Sequence, residues 1–167
     1  AQELLASLDQ RPFLIGEEGV CMSAGGAQNK LMVCFNKEQL LLPLYGSPST
    51  HILKPQMKDF RESVFNEFFC MKLAKDLGLN TANAEIIWIE NQAYYLTERY
   101  DRVKTESGII RQHQEDFCQA LNIAPELKYQ SERGPSLIDC MQLIDTKVAK
   151  GAMKGASKID FIKIVIF

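Results

Sequence analysis

Apolar and polar positions change between helix-like and strand-like spacing several times along the chain. Residues 2–8 suit a short helix, which ends at Arg11-Pro12 because the residue before a proline is disfavoured in helical conformation. As far as residue 54, short apolar segments then alternate with turn-forming residues, a pattern typical of strands and tight turns. The predicted strands cover residues 20–23, 30–36, 39–42 and 50–54, with a hairpin connection at residues 36–38.

The clearest predicted helix covers residues 61–77, where apolar residues recur at steps of three and four. Its apolar stripe consists of Val64, Phe65, Phe68, Phe69, Leu73 and Leu77. Gly78 follows, where a left-handed C-terminal cap is expected. Further strands are predicted at residues 85–90, 93–100 and 109–112, and helices at residues 114–121, 136–149 and 157–167.

The order of these elements predicts an α+β fold in two parts. Residues 1–112 form an antiparallel-sheet lobe with one long helix, and residues 113–167 begin an all-helical lobe. The final segment, residues 159–167, is strongly apolar up to Phe167. We therefore expect the native fold to continue past it, or a partner to cover it.

The composition is that of a globular protein, with 46% hydrophobic and 24% charged residues. A formal net charge of -2 gives no global reason for capture by nucleic acid or an anionic membrane. The chain shows neither a run long enough for a membrane span nor a signal pattern, which predicts a cytoplasmic protein.

Cysteines and histidines are scattered along the chain. The five cysteines are Cys21, Cys34, Cys70, Cys118 and Cys140. Without a C-x-x-C pair, they favour reduced, mostly buried thiols over disulfides or a zinc site. His51 and His113 are far apart in the sequence, and we predict no metal site within this chain.

A cluster of small residues, Ser23-Ala24-Gly25-Gly26-Ala27-Gln28-Asn29-Lys30, lies between two predicted strands. Small residues allow close approach of the backbone to a phosphate chain, and glycines can aim successive N–H groups at one anion. This segment is therefore a candidate phosphate cradle. It matches neither the Walker pattern nor the usual kinase glycine loop, so a plain glycine turn remains the alternative.

Lys54 ends an apolar strand, from which its ammonium can meet nucleotide phosphates. Glu67 lies on or beside the apolar stripe of the long helix, where an unpaired charge is costly. A strand lysine paired with a helix glutamate is the arrangement that protein kinases use to hold ATP phosphates. The alternatives are a solvated lysine at a strand end and a glutamate at the rim of the core.

A charged segment, Glu98-Arg99-Tyr100-Asp101-Arg102, follows the strand at residues 93–100. Its backbone can read an adenine edge, and Asp101 can accept hydrogen bonds from ribose hydroxyls. The alternative is an exposed, self-paired charge cluster.

Taken together, these segments resemble the HipA family of toxin kinases. The similar stretches are LIGEEG (14–19), SAGGAQNK (23–30), STHILKP (49–55), NE with CM (66–67 and 70–71), ERYDR (98–102) and RQHQEDFCQ (111–119), extended by KY (128–129) and GPS (134–136). They keep the family's order across nearly the whole chain. The resemblance implies a bilobal, protein-kinase-like fold with ATP and magnesium between the lobes.

The resemblance also assigns roles to individual residues. Ser23 matches the serine that such kinases autophosphorylate, and residues 24–30, including Ala24, Gly25, Gly26, Ala27, Gln28 and Lys30, match the glycine-rich loop. Lys54 matches the ATP-phosphate lysine, Glu98 and Tyr100 the adenine-contacting hinge, and Asp101 the ribose contact. The implied partners are a protein substrate of the aminoacyl-tRNA synthetase type and a small DNA-binding antitoxin of the HipB type.

The family's catalytic loop and later metal-binding aspartate would follow Phe167, so magnesium ligands are expected outside these residues. The family's N-terminal subdomain is also not represented. Since phosphoryl transfer depends on these aspartates, we expect this chain alone to be inactive. A fragment, a broken reading frame and one piece of a split kinase all remain open. Two other functions remain open: a non-catalytic module that binds an antitoxin or a complementary kinase chain, and a small-molecule phosphotransferase.

Overall fold

The structure is a computed structural model that describes residues 28–167. The chain divides into two compact units, one ending at Gln112 and the other beginning at His113. The predicted helix at residues 2–8, the predicted strand at residues 20–23 and residues 23–27 of the glycine-rich segment lie outside the described residues. Among the helices described, none is long and apolar enough to cross a membrane.

The first unit is built on a five-stranded antiparallel sheet with the order β2-β1-β3-β5-β4. The strands are β1 (Leu31–Phe35), β2 (Leu40–Leu41), β3 (His51–Pro55), β4 (Ala84–Ile89) and β5 (Gln92–Glu98). Asn36 shapes the turn after β1, because its side-chain oxygen accepts hydrogen bonds from the backbone N–H groups of Glu38 and Gln39. These five strands confirm the predicted antiparallel sheet.

A separate two-stranded sheet follows, formed by β6 (Arg102–Thr105) and β7 (Gly108–Arg111). The sequence predicted β7 and missed β6. The four residues of β6 include two basic side chains and follow a charged run, so no alternation of apolar residues marks them as a strand.

Helix α1 covers Ser63–Asp76, close to the predicted helix at residues 61–77. It ends in the predicted left-handed cap, since Gly78 has a φ of 81°. The N–H of Gly78 donates to the carbonyl of Lys75, and the N–H of Leu79 donates to that of Ala74. These bonds satisfy carbonyls that the end of the helix would otherwise leave exposed.

The buried side of α1 differs from the apolar stripe seen in the sequence. Val64 is buried and Phe68 and Met71 are partly buried against Ala93 and Tyr95 of the sheet. Four members of the stripe are exposed instead, namely Phe65, Phe69, Leu73 and Leu77. Apolar residues occupy more than one side of this helix, so spacing alone did not identify the side that packs on the sheet.

The other face of the sheet carries a second apolar cluster. Its buried members are Leu31, Val33, Leu53, Tyr94 and Leu96. Successive residues of a strand point to opposite faces. Because Leu53 belongs to this cluster, Lys54 projects from the face that α1 covers.

The second unit contains α2 (Phe117–Ala120), α3 (Leu137–Ala149) and α4 (Ser157–Ile166), with short 3-10 turns at Pro125–Leu127 and Gln130–Glu132. Helix α2 is shorter than the predicted residues 114–121. It begins where the Asp116 side chain accepts from the N–H of Gln119, a capping box that sets the first turn. The rings of Phe117 and Phe161 lie 5.2 Å apart.

The four cysteines in the described part of the chain are free thiols. Cys118 and Cys140 are buried, and Cys34 is half-buried. Cys70 differs from the other three, because it is exposed on α1. It lies on the side of the helix that does not pack against the sheet.

Candidate functional site

Lys54 and Glu67 form an ion pair between the sheet and helix α1. Lys54 Nζ donates a hydrogen bond to Glu67 Oε1 and lies 5.4 Å from the centre of the Tyr95 ring. The Lys54 side chain is 21% exposed and that of Glu67 31%. An ammonium has three N–H donors, so this contact leaves Lys54 able to bind a further acceptor. The predicted pair is therefore present and reaches solvent.

The register of the sheet brings a second lysine to this pair. Leu31 pairs with Leu53 in antiparallel strands, so Lys30, one residue earlier, lies opposite Lys54. Lys30 is buried, and burial lowers the pKa of its ammonium, as does the charge of Lys54, while Glu67 raises it. Two lysines and one glutamate thus interact at one end of β3, on the face covered by α1.

The segment at the end of β5 is fixed to its neighbours through its backbone. The N–H of Glu98 donates to the carbonyl of Asn83 at 2.9 Å, and that of Arg99 donates to the carbonyl of Thr50 at 2.9 Å. Asn83 also donates from Nδ2 to Glu98 Oε2 at 2.8 Å. The Tyr100 side chain is exposed.

Asp101 is buried, although the sequence left open an exposed charge cluster. Its Oδ1 accepts from Arg99 Nε at 2.9 Å, and its Oδ2 accepts from Arg99 Nη2 and Arg102 Nη1 at 2.7 Å each. The hydrogen bond from Arg99 is the main cause that lowers the pKa of this carboxyl below its usual value. Arg99, Asp101 and Arg102 are thus paired with one another, as the alternative predicted, but their side chains are largely away from solvent.

The sheet fixes the spacing between the two predicted parts of the site. Lys54 pairs with Tyr95, and Glu98 pairs with His51. Three residue steps along the same strand pair separate them, or about 10 Å. Of the glycine-rich segment, Gln28 and Lys30 lie within the described residues; Ser23, Ala24, Gly25, Gly26 and Ala27 do not.

No metal-binding cluster is found among residues 28–167, in the sense of three or more grouped His, Cys, Asp or Glu side chains. His51 Nδ1 shares a hydrogen bond of 2.8 Å with Thr50 Oγ1, and its ring meets Phe35 edge-on. His113 is exposed.

The sequence indicated Arg99 and Arg102 only as members of an exposed, self-paired charge cluster, and it missed Asn83. The proximity of Lys30 to Lys54 could have been found by pairing the predicted strands at residues 30–36 and 50–54 with the correct register. The role of Asn83 left no signal, because it lies in a loop whose position only the folded chain defines.

The chain belongs to the family described as the HipA-like C-terminal domain, which matches residues 22–167. It is 42% identical over 158 residues to protein Y4mE of Sinorhizobium fredii, whose name provisionally calls it a kinase. It is 35% identical over 115 residues to the serine/threonine-protein kinase toxin HipA of Shewanella oneidensis. These alignments cover 94% and 68% of this chain, but only 38% and 26% of the two relatives.

The solved structures show the same relationship. A chain from the complex of Shewanella oneidensis HipA, HipB and operator DNA matches with a TM-score of 0.62 and 30% sequence identity. The match covers 83% of this chain and 33% of that chain. The mixed fold with an antiparallel sheet is therefore that of a part of HipA, and the chain is related to kinase toxins.

Proposed function

We propose that residues 1–112 are the nucleotide-binding lobe of a HipA-like serine/threonine kinase toxin, and that Lys54 binds the phosphates of ATP. The ion pair of Lys54 and Glu67 between β3 and α1 carries this proposal. In protein kinases a strand lysine held by a helix glutamate contacts the α- and β-phosphates. The same two residue types occupy the same two kinds of element here.

The charges around Lys54 suit a phosphate chain. Lys30 and Lys54 both carry ammonium donors on one face of the sheet, and Glu67 orients Lys54 without using all of its donors. ATP, when bound, supplies the phosphoryl group that a kinase transfers. The role of Glu67 is to hold the lysine in a single direction, because a free lysine side chain must lose its rotational freedom on binding.

The adenosine part of the nucleotide would lie toward the end of β5. We assign the adenine contacts to the backbone of Glu98 and Tyr100, and the ribose contact to Asp101. The glycine-rich loop of Ala24, Gly25, Gly26, Ala27 and Gln28 would cover the phosphates, and Ser23 would be the autophosphorylated residue. These assignments extend the family resemblance to this chain.

Transfer itself needs further groups. An aspartate must orient the accepting hydroxyl, and metal ligands must hold magnesium. By the family resemblance both would follow Phe167. We expect the 167-residue chain to bind ATP and not to transfer phosphate at an appreciable rate.

The partners are proposed on the same basis. The substrate would be a protein, of the aminoacyl-tRNA synthetase type by resemblance. The structural match to a HipA, HipB and operator DNA complex supports an antitoxin of the HipB type, with DNA reached only through the antitoxin.

Titration of the chain with ATP tests the proposal. Lys54→Ala should weaken ATP binding by about tenfold or more, because a charge-assisted hydrogen bond is lost. Lys72→Ala is the matched control, since Lys72 lies exposed on α1 and pairs with Asp76. The proposal fails if the unmodified chain does not bind ATP, or if both variants bind it as well as the unmodified chain does.

A second candidate is a non-catalytic interaction module. The exposed apolar side chains on α1 and the exposed Trp88 beside Phe65 favour it. This second function would be supported over the first if antitoxin binding were unaffected by ATP and by Lys54→Ala but were lost in Phe69→Ser.

A further inference from the structure

Two arginines hold the carboxylate of Asp101. Arg99 makes a bidentate contact, donating from Nε to Oδ1 and from Nη2 to Oδ2. Arg102 donates a third hydrogen bond, from Nη1 to Oδ2. The side chains of Arg99, Arg102 and Asp101 are 13%, 10% and 8% exposed. With so little water available, rotating the carboxylate away would leave charges unpaired, so the cluster holds one geometry.

The same arginines tie the segment after β5 to other parts of the first unit. Arg99 Nη1 contacts Ser49 Oγ at 3.3 Å and the sulfur of Met32 at 2.9 Å. Arg102 Nε donates to the carbonyl of Ser49 at 2.9 Å. The cluster therefore joins β1, the residues before β3 and the proposed hinge.

The hinge backbone is also fixed from the side of β7. The carbonyl of Asp101 accepts from the N–H of Gln112 at 2.9 Å and from Arg102 Nη1 at 3.1 Å. The carbonyl and the carboxylate of one residue are thus both held. Since ionised carboxylates have about four acceptor positions and three contacts are made here, Oδ1 keeps capacity for one more donor.

We propose that Arg99 and Arg102 are positioning residues of the nucleotide site: they present Asp101 Oδ1 to the ribose and hold the hinge backbone in its binding geometry. The proposal rests on the function proposed above. A hinge that is ordered before the ligand arrives loses less conformational freedom on binding. Neither arginine needs to touch the nucleotide.

The proposal predicts a specific dependence on the ligand. Arg99→Lys keeps the charge and loses the bidentate contact, since an ammonium does not have the two parallel N–H donors that the rigid guanidinium directs at the two oxygens. It should weaken adenosine, ADP and ATP by the same factor, about tenfold. The variant should also reduce the difference in affinity between ATP and 2′-deoxyATP. Lys54→Ala should instead weaken ADP and ATP and leave adenosine unchanged.

Calorimetric titration of the four ligands against the unmodified chain, Arg99→Lys, Arg102→Lys and Arg111→Lys tests this inference. Arg111 is the control, because it donates to the backbone carbonyls of Gly46 and Ser47 and not to Asp101. The inference is overturned if Arg99→Lys and Arg102→Lys bind all four ligands as Arg111→Lys does. It is also overturned if they weaken the binding of the phosphorylated ligands only. Absence of binding by the unmodified chain would instead overturn the function on which the inference rests.

A measurement on the unmodified chain covers the case in which the variants fail to fold. If the cluster orders the hinge in advance, the amide hydrogens of Arg99 and Gln112 should exchange slowly before any nucleotide is added. Fast exchange that slows only when ATP binds would contradict the proposal.

Discussion

Lys54 on β3 and Glu67 on α1 are joined by a hydrogen-bonded ion pair across 13 positions of the sequence. The pair is partly open to solvent, so it adds little to the stability of the fold, about 1 kcal/mol or less. Its value lies in the direction that it gives to the lysine.

Glu67→Gln tests whether the ion pair orients Lys54 more than it stabilises the fold. The amide keeps the shape of the side chain and removes the charge that orients Lys54. We expect ATP affinity to fall several-fold, while the unfolding free energy changes by about 1 kcal/mol at most. Asp76→Asn is the control, since Asp76 pairs with Lys72 in the exposed last turn of α1. Equal ATP affinities for the two variants would contradict an orienting role for Glu67.

Asp101→Asn should strongly destabilise the first unit at neutral pH. It leaves two buried guanidinium groups without their counter-charge, and breaking buried pairs of this kind costs about 3–5 kcal/mol. Urea unfolding followed by the fluorescence of Trp88 measures the change. Asp59→Asn, at an exposed position, should leave the midpoint unchanged.

The same variant should alter the response to acid. The pKa of Asp101 is lowered in the folded state, so its stabilisation is complete above the ordinary value of about 3.9 and is lost as the pH falls through the lower folded value. The difference in unfolding free energy between the unmodified chain and Asp101→Asn should therefore shrink below pH ~4. A difference that stays constant down to pH ~2 would refute the linkage.

Gly134→Ala should destabilise the second unit. A Cβ at this position would lie 2.2 Å from the carbonyl oxygen of Leu127 and 2.7 Å from that of Tyr129, and backbone atoms cannot move aside cheaply. We expect a loss of about 1–3 kcal/mol, measured by thermal unfolding. A Cβ at Gly155 would meet nothing within 4 Å, so Gly155→Ala should be neutral or slightly stabilising. Similar melting temperatures for the two variants would contradict the crowding at Gly134.

Ser136→Ala should shorten or loosen the start of α3. Ser136 Oγ accepts from the N–H of Asp139, and the Asp139 side chain accepts from the N–H of Ser136 in return. Loss of such a cap costs about 1 kcal/mol of unfolding free energy. Ser131→Ala, in an exposed 3-10 turn, should have no comparable effect on thermal unfolding.

The sequence predicted the elements whose pattern is local. Alternation located the strands of the sheet, and the glycine after α1 located the end of the helix. The pairing of Lys54 was also predictable, because a glutamate beside an apolar stripe requires a partner. The strands and the helix end depend on residues within a few positions of one another. The ion pair depends on the high energetic cost of an unpaired glutamate beside apolar side chains.

Features that depend on distant contacts were not predictable in the same way. Asp101 looked like one member of an exposed charged run, yet it is buried. Its partner Arg99 also contacts Ser49 and Met32, which are far away in the chain. Apolar residues likewise occupy more than one side of α1, so the pattern did not indicate which side would pack against Tyr95. In both cases the burial of a residue was determined by segments that the local pattern does not include.

The antiparallel register at Leu53 and Lys54 makes the fold and the site depend on each other. A slip of one position in β3 would turn Lys54 into the apolar cluster of Leu31 and Leu96 and would turn Leu53 toward Glu67. Both changes are unfavourable: the ammonium of Lys54 would be buried among apolar side chains, and the carboxylate of Glu67 would lose its partner. Insertions between β1 and β3 should therefore be tolerated only where the loop can absorb them without moving either strand.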